Sequence, residues 1–353
     1  MNKSNKSYKN YFFKGLLAIS LPLQFILIQN DRFTSSRFVE FYINNFKYLS
    51  EFRIRVFSYF LTSIGDIFYF LIIIILIIFL YKNLSYYLAN KNHFLIDFFS
   101  TLSVLNIFFQ VSWGLNYHSQ PIELKLNLKK EYSIEELEKS ISYLILKTNN
   151  LYNNLSKNKT LPIRFPFNKN EARILLADSK KNIVKNSIWS DLLSYMGYSG
   201  YLNPFTLEAH VNENIPMMSY LTTIAHEQSH QRGIARENES NYWAFIKTTK
   251  NDNNYIKYAG YGFALRYCLS DLYSRNGKKA TILSKDIEAG VRKNFKEVDD
   301  FWKKHQNPIE PIFKKTYDSF LKINDQNLGI KSYNLVVNLI IHEINLTLDN
   351  EKN

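Results

Sequence analysis

One uncharged apolar run, Ile67 to Tyr81, constrains this chain more than any other feature of its sequence. The run reads IFYFLIIIILIIFLY, and the uncharged residues that precede Asp66 lengthen the apolar stretch. A helix that crosses the hydrocarbon core of a bilayer needs about 20 predominantly apolar residues. We therefore predict a transmembrane helix over about residues 61–81.

Two further runs have the length and composition of membrane-spanning helices. Residues 11–30 (YFFKGLLAISLPLQFILIQN) carry one charge, Lys14, and residues 98–117 (FFSTLSVLNIFFQVSWGLNY) carry none. The first run has the position of a signal peptide, but no small-residue cleavage site follows it, which favours a retained helix. In the third run the polar side chains are expected to face other helices rather than lipid: Ser100, Asn106, Gln110 and Ser112.

The basic residues near these runs bear on the orientation of the chain. Three lysines lie within residues 1–10, and Lys82 and Lys91 lie between the second and third runs. Positive charge accumulates on the cytoplasmic side of membrane proteins. Both segments are therefore predicted to be cytoplasmic and the C-terminal part extracytoplasmic, although arginines between residues 31 and 55 oppose this orientation.

The overall charge favours a lipid bilayer over a nucleic acid as the partner. The chain has 44 Lys and Arg against 31 Asp and Glu, a formal net charge of +13. Lysine is spread through the sequence without a basic cluster that carries stacking aromatics, so attraction to anionic lipid headgroups accounts for the charge and no nucleic-acid binding is predicted. The single cysteine, Cys268, excludes an intrachain disulfide and a cysteine-based zinc site.

The change in hydrophobic pattern predicts two domains. Apolar residues form long uncharged runs in residues 1–118, whereas in residues 119–353 they alternate with Lys, Asn and Glu, as in a globular domain. The predicted fold class is mainly α, with three N-terminal transmembrane helices followed by an α+β domain that has a small sheet.

Local signals predict several elements of the second domain. Ser133 and Glu136 form a capping-box pattern, and apolar residues at helical spacing predict a helix over residues 134–155. Residues 173–177 form a short apolar run of strand length, and residues 197–212, rich in Gly, aromatic and β-branched residues, predict turn and strand. Three more helices are predicted near the C-terminus, over residues 285–304, 311–322 and 332–348.

A histidine motif on a predicted helix is the strongest chemical signal in the sequence. It reads HEQSH and contains His226, Glu227 and His230, and Gly233 is expected to end the helix. Residues four apart share one helix face, so the two histidines can bind one zinc ion while Glu227 takes a proton from a zinc-bound water. The alternative is a helix with two histidines and no metal.

A catalytic zinc ion also needs a third protein ligand and an open position for water. The next segment offers two carboxylates, Glu237 and Glu239, at the start of a second helix. We prefer Glu237 as the ligand, and either residue remains open at this stage. The carboxylate that does not bind the metal would orient a histidine instead.

His226-Glu-Gln-Ser-His230 followed by Glu237-x-x-Ser-Asn241 resembles the gluzincin branch of zinc metallopeptidases. In that branch an HExxH helix is followed by a helix bearing Glu-x-x-Ala-Asp. The resemblance implies that Glu237 is the third zinc ligand. It also implies that Asn241, which stands in place of the aspartate, supports a zinc-binding histidine.

Over almost its full length the chain is similar to an uncharacterised family of bacterial membrane proteins, catalogued as a domain of unknown function. The similarity lies in residues 113–117 (WGLNY), 203–209 (NPFTLEA), 226–239 and 332–333. It implies three N-terminal spans, a zincin-like C-terminal domain with an HExxH helix, and location in the bacterial cytoplasmic membrane. It supports zinc binding more firmly than proteolysis.

Several residues outside the motif are candidates for substrate contacts. An extended segment upstream of the motif is where an edge strand would hold a peptide by β-augmentation, and Asn203, Phe205 and Thr206 are predicted to bind substrate there. Tyr333 is predicted to donate to the oxyanion of a tetrahedral intermediate, or else to be a buried aromatic. His210 is interpreted as an exposed loop histidine, with contact to substrate or metal as the alternative.

The leading hypothesis is a membrane-anchored zinc peptidase. Glu227 would act as general base and then as general acid in the hydrolysis of a peptide or protein near the extracytoplasmic membrane face. The alternative is a non-catalytic zinc-binding scaffold or binding protein with a degenerate site. A transporter would require paired charges inside the spans, and Lys14 and Asp66 lie near span ends. The oligomeric state is left open.

Overall fold

The chain is mainly helical with one small sheet, which confirms that part of the predicted fold class. The computed structural model describes residues 3–60, 62–128, 131–178 and 184–351, with only the backbone for residues 3–10. Leu61, the first residue of the predicted second span, and the side chains of the N-terminal lysines lie outside the described residues.

Three of the first five helices are long and apolar enough to cross a membrane. These apolar segments are Tyr11–Ile28, Ile64–Ala89 and Lys91–Ser112, and they agree with the three predicted runs in number and place. A 3₁₀ turn, Gly114–His118, follows the third of them. The five helices are α1 (Lys3–Ile28), α2 (Asp31–Thr34), α3 (Arg37–Phe57), α4 (Ile64–Ala89) and α5 (Lys91–Ser112).

The predicted end of the third run is wrong, because the helix begins at Lys91 and ends at Ser112 rather than spanning residues 98–117. The backbone leaves the helix at Trp113, where φ is −157°. Trp113 packs instead in a small buried cluster with Phe46 of α3 and Ala235. Burial in that cluster, rather than in lipid, explains why this apolar segment does not continue the span.

Helices α1 and α5 run parallel and are joined by polar contacts. Lys14 forms an ion pair with Asp97 at 2.6 Å, and Asn106 donates to Gln24 at 2.9 Å. The nearly constant sequence offset between the partners requires the two helices to run in the same direction. Asn106 thus faces another helix, as predicted. The paired charges lie towards the beginnings of both helices, at the end remote from the C-terminal part.

Eleven more helices follow within the described residues, and a second 3₁₀ turn, Gly329–Leu335, precedes the last of them. The predicted helix 134–155 and its capping box are confirmed. The eleven helices are α6 (Ile122–Lys125), α7 (Ile134–Leu155), α8 (Lys169–Leu175), α9 (Ser190–Met196), α10 (Met217–Gln231), α11 (Glu237–Thr249), α12 (Asn254–Arg275), α13 (Gly277–Ser284), α14 (Ala289–His305), α15 (Glu310–Ile323) and α16 (Val336–Asn350).

The strand-length run at residues 173–177 is not a strand, so that interpretation is wrong. Its first part belongs to α8, which begins with a second capping box: the Asn168 side chain accepts from the Glu171 amide, and the Glu171 side chain accepts from the Asn168 amide. This reciprocal pair satisfies two amides at the start of the helix. The cap therefore favours a helix over a strand for this short run.

The sheet has three short strands in the order β1 (Lys185–Asn186), β3 (Ala209–Val211), β2 (Gly200–Leu202). Strand β3 pairs in parallel with β1 and antiparallel with β2, which makes β2 an edge. The turn and strand predicted within residues 197–212 are thereby confirmed. The sheet packs against α10, and α10 packs on α11 and α12 around the main hydrophobic core.

Candidate metal centre

A cavity of about 620 Å³ opens beside α10. Its walls come from α10, α11, α12, α15, the edge strand β2, the end of α5 and the two 3₁₀ turns. Elements far apart in sequence therefore meet around one space. His226, Glu227 and His230 of α10 all line it, as do Glu237 and Asn241 of α11.

The turn between α10 and α11 brings Glu237 back beside the two histidines. Gly233 ends α10 in the left-handed region with φ +87°, as predicted, and the Ile234 amide donates to the Ser229 carbonyl at 3.2 Å. A side chain at position 233 would also meet the Phe46 ring, 2.7 Å from a Cβ placed there. Glycine is thus required both for the turn and for packing against α3.

Three side-chain atoms converge in the manner of metal ligands. Nε2 of His226 and Nε2 of His230 are 3.1 Å apart, and Oε2 of Glu237 lies 3.2 Å and 3.6 Å from them. Ligands about 2.0–2.1 Å from a tetrahedral zinc ion lie about 3.3 Å from one another. Among the described residues this is the one cluster of three His, Cys, Asp or Glu ligands with such spacing.

Hydrogen bonds on the far side of each imidazole leave the converging nitrogens free. Nδ1 of His230 lies 2.7 Å from the Ile234 carbonyl, which can only accept, so Nδ1 carries the proton. Nδ1 of His226 lies 2.9 Å from Oδ1 of Asn241. In the neutral form of each ring, Nε2 then directs its lone pair to the cluster, which is the state that binds a metal ion.

The charge balance of the cluster calls for a cation between these groups. Oε2 of Glu237 is buried and has no hydrogen-bond partner among the described residues. Burial would raise the pKa of Glu237, but the two histidines hold it well below its usual range. Burial would likewise lower the pKa of His230, but Glu237 raises it to about 9. A proton or a divalent metal ion can supply this positive charge, and the donor set fits zinc.

Glu227 is placed beside the cluster as a separate carboxyl. Burial raises its pKa to about 7, with His226 and His230 opposing the rise. A carboxyl with a pKa near neutrality suits proton transfer at neutral pH. Its position depends on Gly200 of β2, because a Cβ there would lie 2.6 Å from Oε1 of Glu227.

Glu239, the alternative ligand, faces away from the cluster. Its Oε1 accepts from the Ile122 amide at 3.1 Å and lies 3.8 Å from the Arg236 guanidinium. Burial raises the pKa of Glu239 to about 7. Between the two predicted carboxylates, the geometry thus brings Glu237 to the histidines and leaves Glu239 against α6.

Three tyrosines surround the cluster, and only Tyr333 was singled out from the sequence. The Tyr333 ring stacks on His226 with centroids 6.4 Å apart. The Tyr317 hydroxyl donates to Oε1 of Glu237 at 2.6 Å, and Asn241 donates to the Tyr267 hydroxyl at 3.2 Å. Tyr317 was missed because the chain has 25 tyrosines and nothing local marks this one.

The three residues predicted to bind substrate, Asn203, Phe205 and Thr206, do not line the cavity. Their neighbours Leu202 and Pro204 do. Oδ1 of Asn203 accepts from the amides of Phe205 and Thr206 at 2.9 and 3.1 Å, which organises the loop after β2. Asn203 is fully buried in that role, so its contribution to the cavity is to shape the loop.

His210 is not an exposed loop residue, so that interpretation is wrong. It is fully buried in the central strand β3, stacks on Tyr201 with ring centroids 4.5 Å apart, and lies 2.6 Å from Oγ of Ser63 at the start of α4. Burial lowers its pKa to about 4. The histidine belongs to the junction between the sheet and α4 and does not line the cavity.

The fold and the site define a class: a mainly helical protein with three membrane-length apolar helices and a buried His-His-Glu cluster. Residues 42–341 match the family described as "Protein of unknown function (DUF3810)", and the chain belongs to this family. Neither a curated protein nor a solved structure matches it. The predicted membership in a family of unknown function is therefore confirmed.

Proposed function

We propose that this protein is a membrane-anchored zinc metallopeptidase. The observation that carries the proposal is the convergence of His226, His230 and Glu237 beside a separate buried carboxyl, Glu227. A bound zinc ion would polarise the scissile carbonyl and lower the pKa of a water molecule. The gluzincin-like order of these residues in the sequence supports the same assignment.

Four groups of the chain would have separate roles in the reaction: Glu227, Asn241, the Ile234 carbonyl and Tyr333. Glu227 would accept a proton from the attacking water and deliver it to the leaving amine. Asn241 and the Ile234 carbonyl hold the two histidines in the tautomers that present Nε2. The Tyr333 hydroxyl is the proposed donor to the oxyanion.

The substrate in this proposal is a peptide or protein that lies against β2. Strand β2 pairs with β3 on one side only and lines the cavity from Gly200 to Leu202. An edge strand can bind an extended peptide through its free main-chain groups. Contact between β2 and Glu227 would place such a peptide beside the proton acceptor.

A non-catalytic zinc scaffold is the competing proposal. A structural zinc site has four protein ligands, whereas a catalytic one keeps a position for water. Glu239 was the candidate for the fourth ligand, and its carboxylate is engaged with the Ile122 amide instead. This arrangement favours the hydrolase.

The three apolar helices support a multi-pass location in the bacterial cytoplasmic membrane. Helices α1 and α5 run parallel, and α4 joins α5 through the single residue Asn90. The N-terminus and the α4–α5 turn then lie at one end of these helices and the metal cluster at the other. With the lysines of the first end in the cytoplasm, the cluster would be extracytoplasmic.

The test is the zinc content and the peptide hydrolysis of the full chain purified in detergent with zinc supplied. We expect one zinc per chain in the wild type and in Glu227→Gln, and none in His226→Ala. Hydrolysis of a peptide library is expected for the wild type alone. Wild-type turnover by Glu227→Gln would remove the mechanism, and lack of zinc in all three proteins would remove the site.

A reporter fused after Asn353 tests the orientation of the chain in the membrane. Activity of that reporter in the cytoplasm would overturn the proposed orientation.

A further inference from the structure

The cavity beside the metal cluster has an apolar end that reaches the third membrane-length helix. Phe109 lines the cavity and lies on α5, three residues before the last residue of that helix, Ser112. At a rise of about 1.5 Å per residue, Phe109 is about 4–5 Å from the end of α5. The apolar end of the cavity thus lies at the level where α5 leaves the candidate membrane region.

An unbroken aromatic wall connects this end of the cavity to a metal ligand. The Phe109 ring lies 5.7 Å from Phe320 and 6.3 Å from Trp113, and Trp113 meets His230 edge to face at 5.9 Å. The indole N–H of Trp113 already donates to the His230 carbonyl at 3.3 Å. The wall therefore offers apolar contact and no free hydrogen-bond donor.

The loop after β2 connects the same end of the cavity to the exposed apolar surface of α4 and α5. Phe205 packs on Phe68 of α4 and on Phe108 of α5, with ring centroids 6.3 and 5.9 Å apart. Phe68 and Phe108 are 44% and 61% exposed. Pro204, the residue before Phe205, lines the cavity. The segment from β2 to Phe205 thus connects the metal cluster to the exposed apolar surface of α4 and α5.

We propose, resting on the hydrolase function above, that the substrate is a peptide bearing a fatty acyl chain. The acyl chain packs against the wall formed by Phe109, Trp113 and Phe320, while the peptide lies along β2 towards the cluster. A helical segment would have to unwind to enter, which would leave backbone N–H and C=O groups unsatisfied against an apolar wall. An acyl chain carries no such groups.

The first test compares hydrolysis of a hexadecanoyl peptide library with that of the same library carrying an acetyl group, in detergent micelles. Burial of one methylene strengthens binding about fourfold. We therefore expect kcat/KM to be at least about tenfold higher for the acylated library. Phe109→Ala should reduce this ratio about fivefold or more. Phe99→Ala, an exposed phenylalanine earlier on α5, should retain the wild-type ratio. Equal turnover of both libraries by the wild type would overturn the proposal.

A second measurement does not depend on catalysis. A peptide that carries a dibrominated acyl chain should quench the fluorescence of Trp113. The Trp113 signal is the difference in fluorescence between zinc-loaded Glu227→Gln and the zinc-loaded double variant Glu227→Gln with Trp113→Phe. Quenching without hydrolysis of any peptide would overturn the peptidase and leave the acyl-peptide site standing. Hydrolysis of the acetyl library without quenching of Trp113 would do the reverse.

Discussion

Oδ1 of Asn241 lies 2.9 Å from Nδ1 of His226, while the amide nitrogen of the same side chain donates to the Tyr267 hydroxyl at 3.2 Å. In this arrangement the amide nitrogen is directed to Tyr267 and the amide oxygen faces the histidine. An amide oxygen can only accept, so His226 donates from Nδ1, and Nε2 is left to face the cluster beside Glu237. If the proposed zinc site is correct, this neutral amide would take the orienting role that an aspartate has in the gluzincin pattern.

Substitution of Asn241 should change zinc affinity without removing a ligand. Loss of a hydrogen-bond partner of a metal-binding histidine lowers the metal affinity about 10–100-fold. We expect a decrease in zinc affinity of this size for Asn241→Leu. Asn241→Asp should bind zinc more tightly than the wild type, because a carboxylate makes the imidazole a stronger donor. Competition with a chelator of known affinity would measure both. Equal zinc affinity of the wild type and Asn241→Leu would contradict the assigned role.

A matched pair of glutamates tests the identity of the third ligand. Glu237→Gln should lose zinc affinity by about 100-fold or more, beyond the usual effect of an outer partner, since its Oε2 lies 3.2 Å from Nε2 of His226. Glu239→Gln should keep the metal, because its Oε1 accepts from the Ile122 amide. Metal analysis after dialysis would distinguish the two variants, and the opposite order of loss would refute the geometry.

How much of this site follows from sequence depends on how local each contact is. Helix periodicity alone predicts that His226 and His230 share a face. Glu237 lies only seven residues after His230, but it follows a turn, so the sequence could not decide between Glu237 and Glu239 as the third ligand. Tyr317 meets Glu237 across 80 positions in the chain. The pattern of α15 predicts an amphipathic helix, but no local rule indicates what its buried face touches.

The incorrect predictions for His210 and Trp113 have the same origin. His210 lies in a segment whose Gly and aromatic content predicts turn and strand equally well for an edge or a central strand. Its central position in the sheet, the stacking on Tyr201 and the contact with Ser63 at the start of α4 bury it. Trp113 lies within an apolar run that composition alone cannot distinguish from a span. The helix ends before it, and its burial with Phe46 and Ala235 depends on contacts across the chain.

His210 should make stability depend on pH. Its pKa is about 4 in the folded protein, where burial disfavours the charged ring, against 6.5 for the ordinary group. Between these values the unfolded chain binds more protons, so acidification destabilises the fold, by about 3 kcal/mol once the pH is below both. The contribution is fully present above about pH 6.5 and is lost as the pH falls towards 4.

Thermal unfolding of the wild type and of His210→Gln in detergent between pH 4 and 8 would measure this linkage. The neutral amide does not titrate, so the variant should lose less stability than the wild type over the acidic half of the range. Titrating groups remote from His210 contribute equally to both proteins and cancel in the difference. Parallel pH profiles would show that His210 does not titrate with unfolding.

Gly200 links the edge strand to the proton acceptor, and a single methyl group tests that link. A Cβ at position 200 would lie 2.6 Å from Oε1 of Glu227 and 2.6 Å from the backbone oxygen of His210, so Gly200→Ala must lengthen both contacts. A displacement of about 1 Å at a reacting group can cost about 100-fold in rate. We expect Gly200→Ala to bind zinc and to hydrolyse peptide about 100-fold more slowly.

Gly277→Ala is the matched control, because its Cβ meets only a Tyr273 ring atom at 3.8 Å. Wild-type turnover by Gly200→Ala would show that the position of Glu227 is not set by β2, whereas loss of zinc together with activity would show that the substitution disturbs the whole cluster.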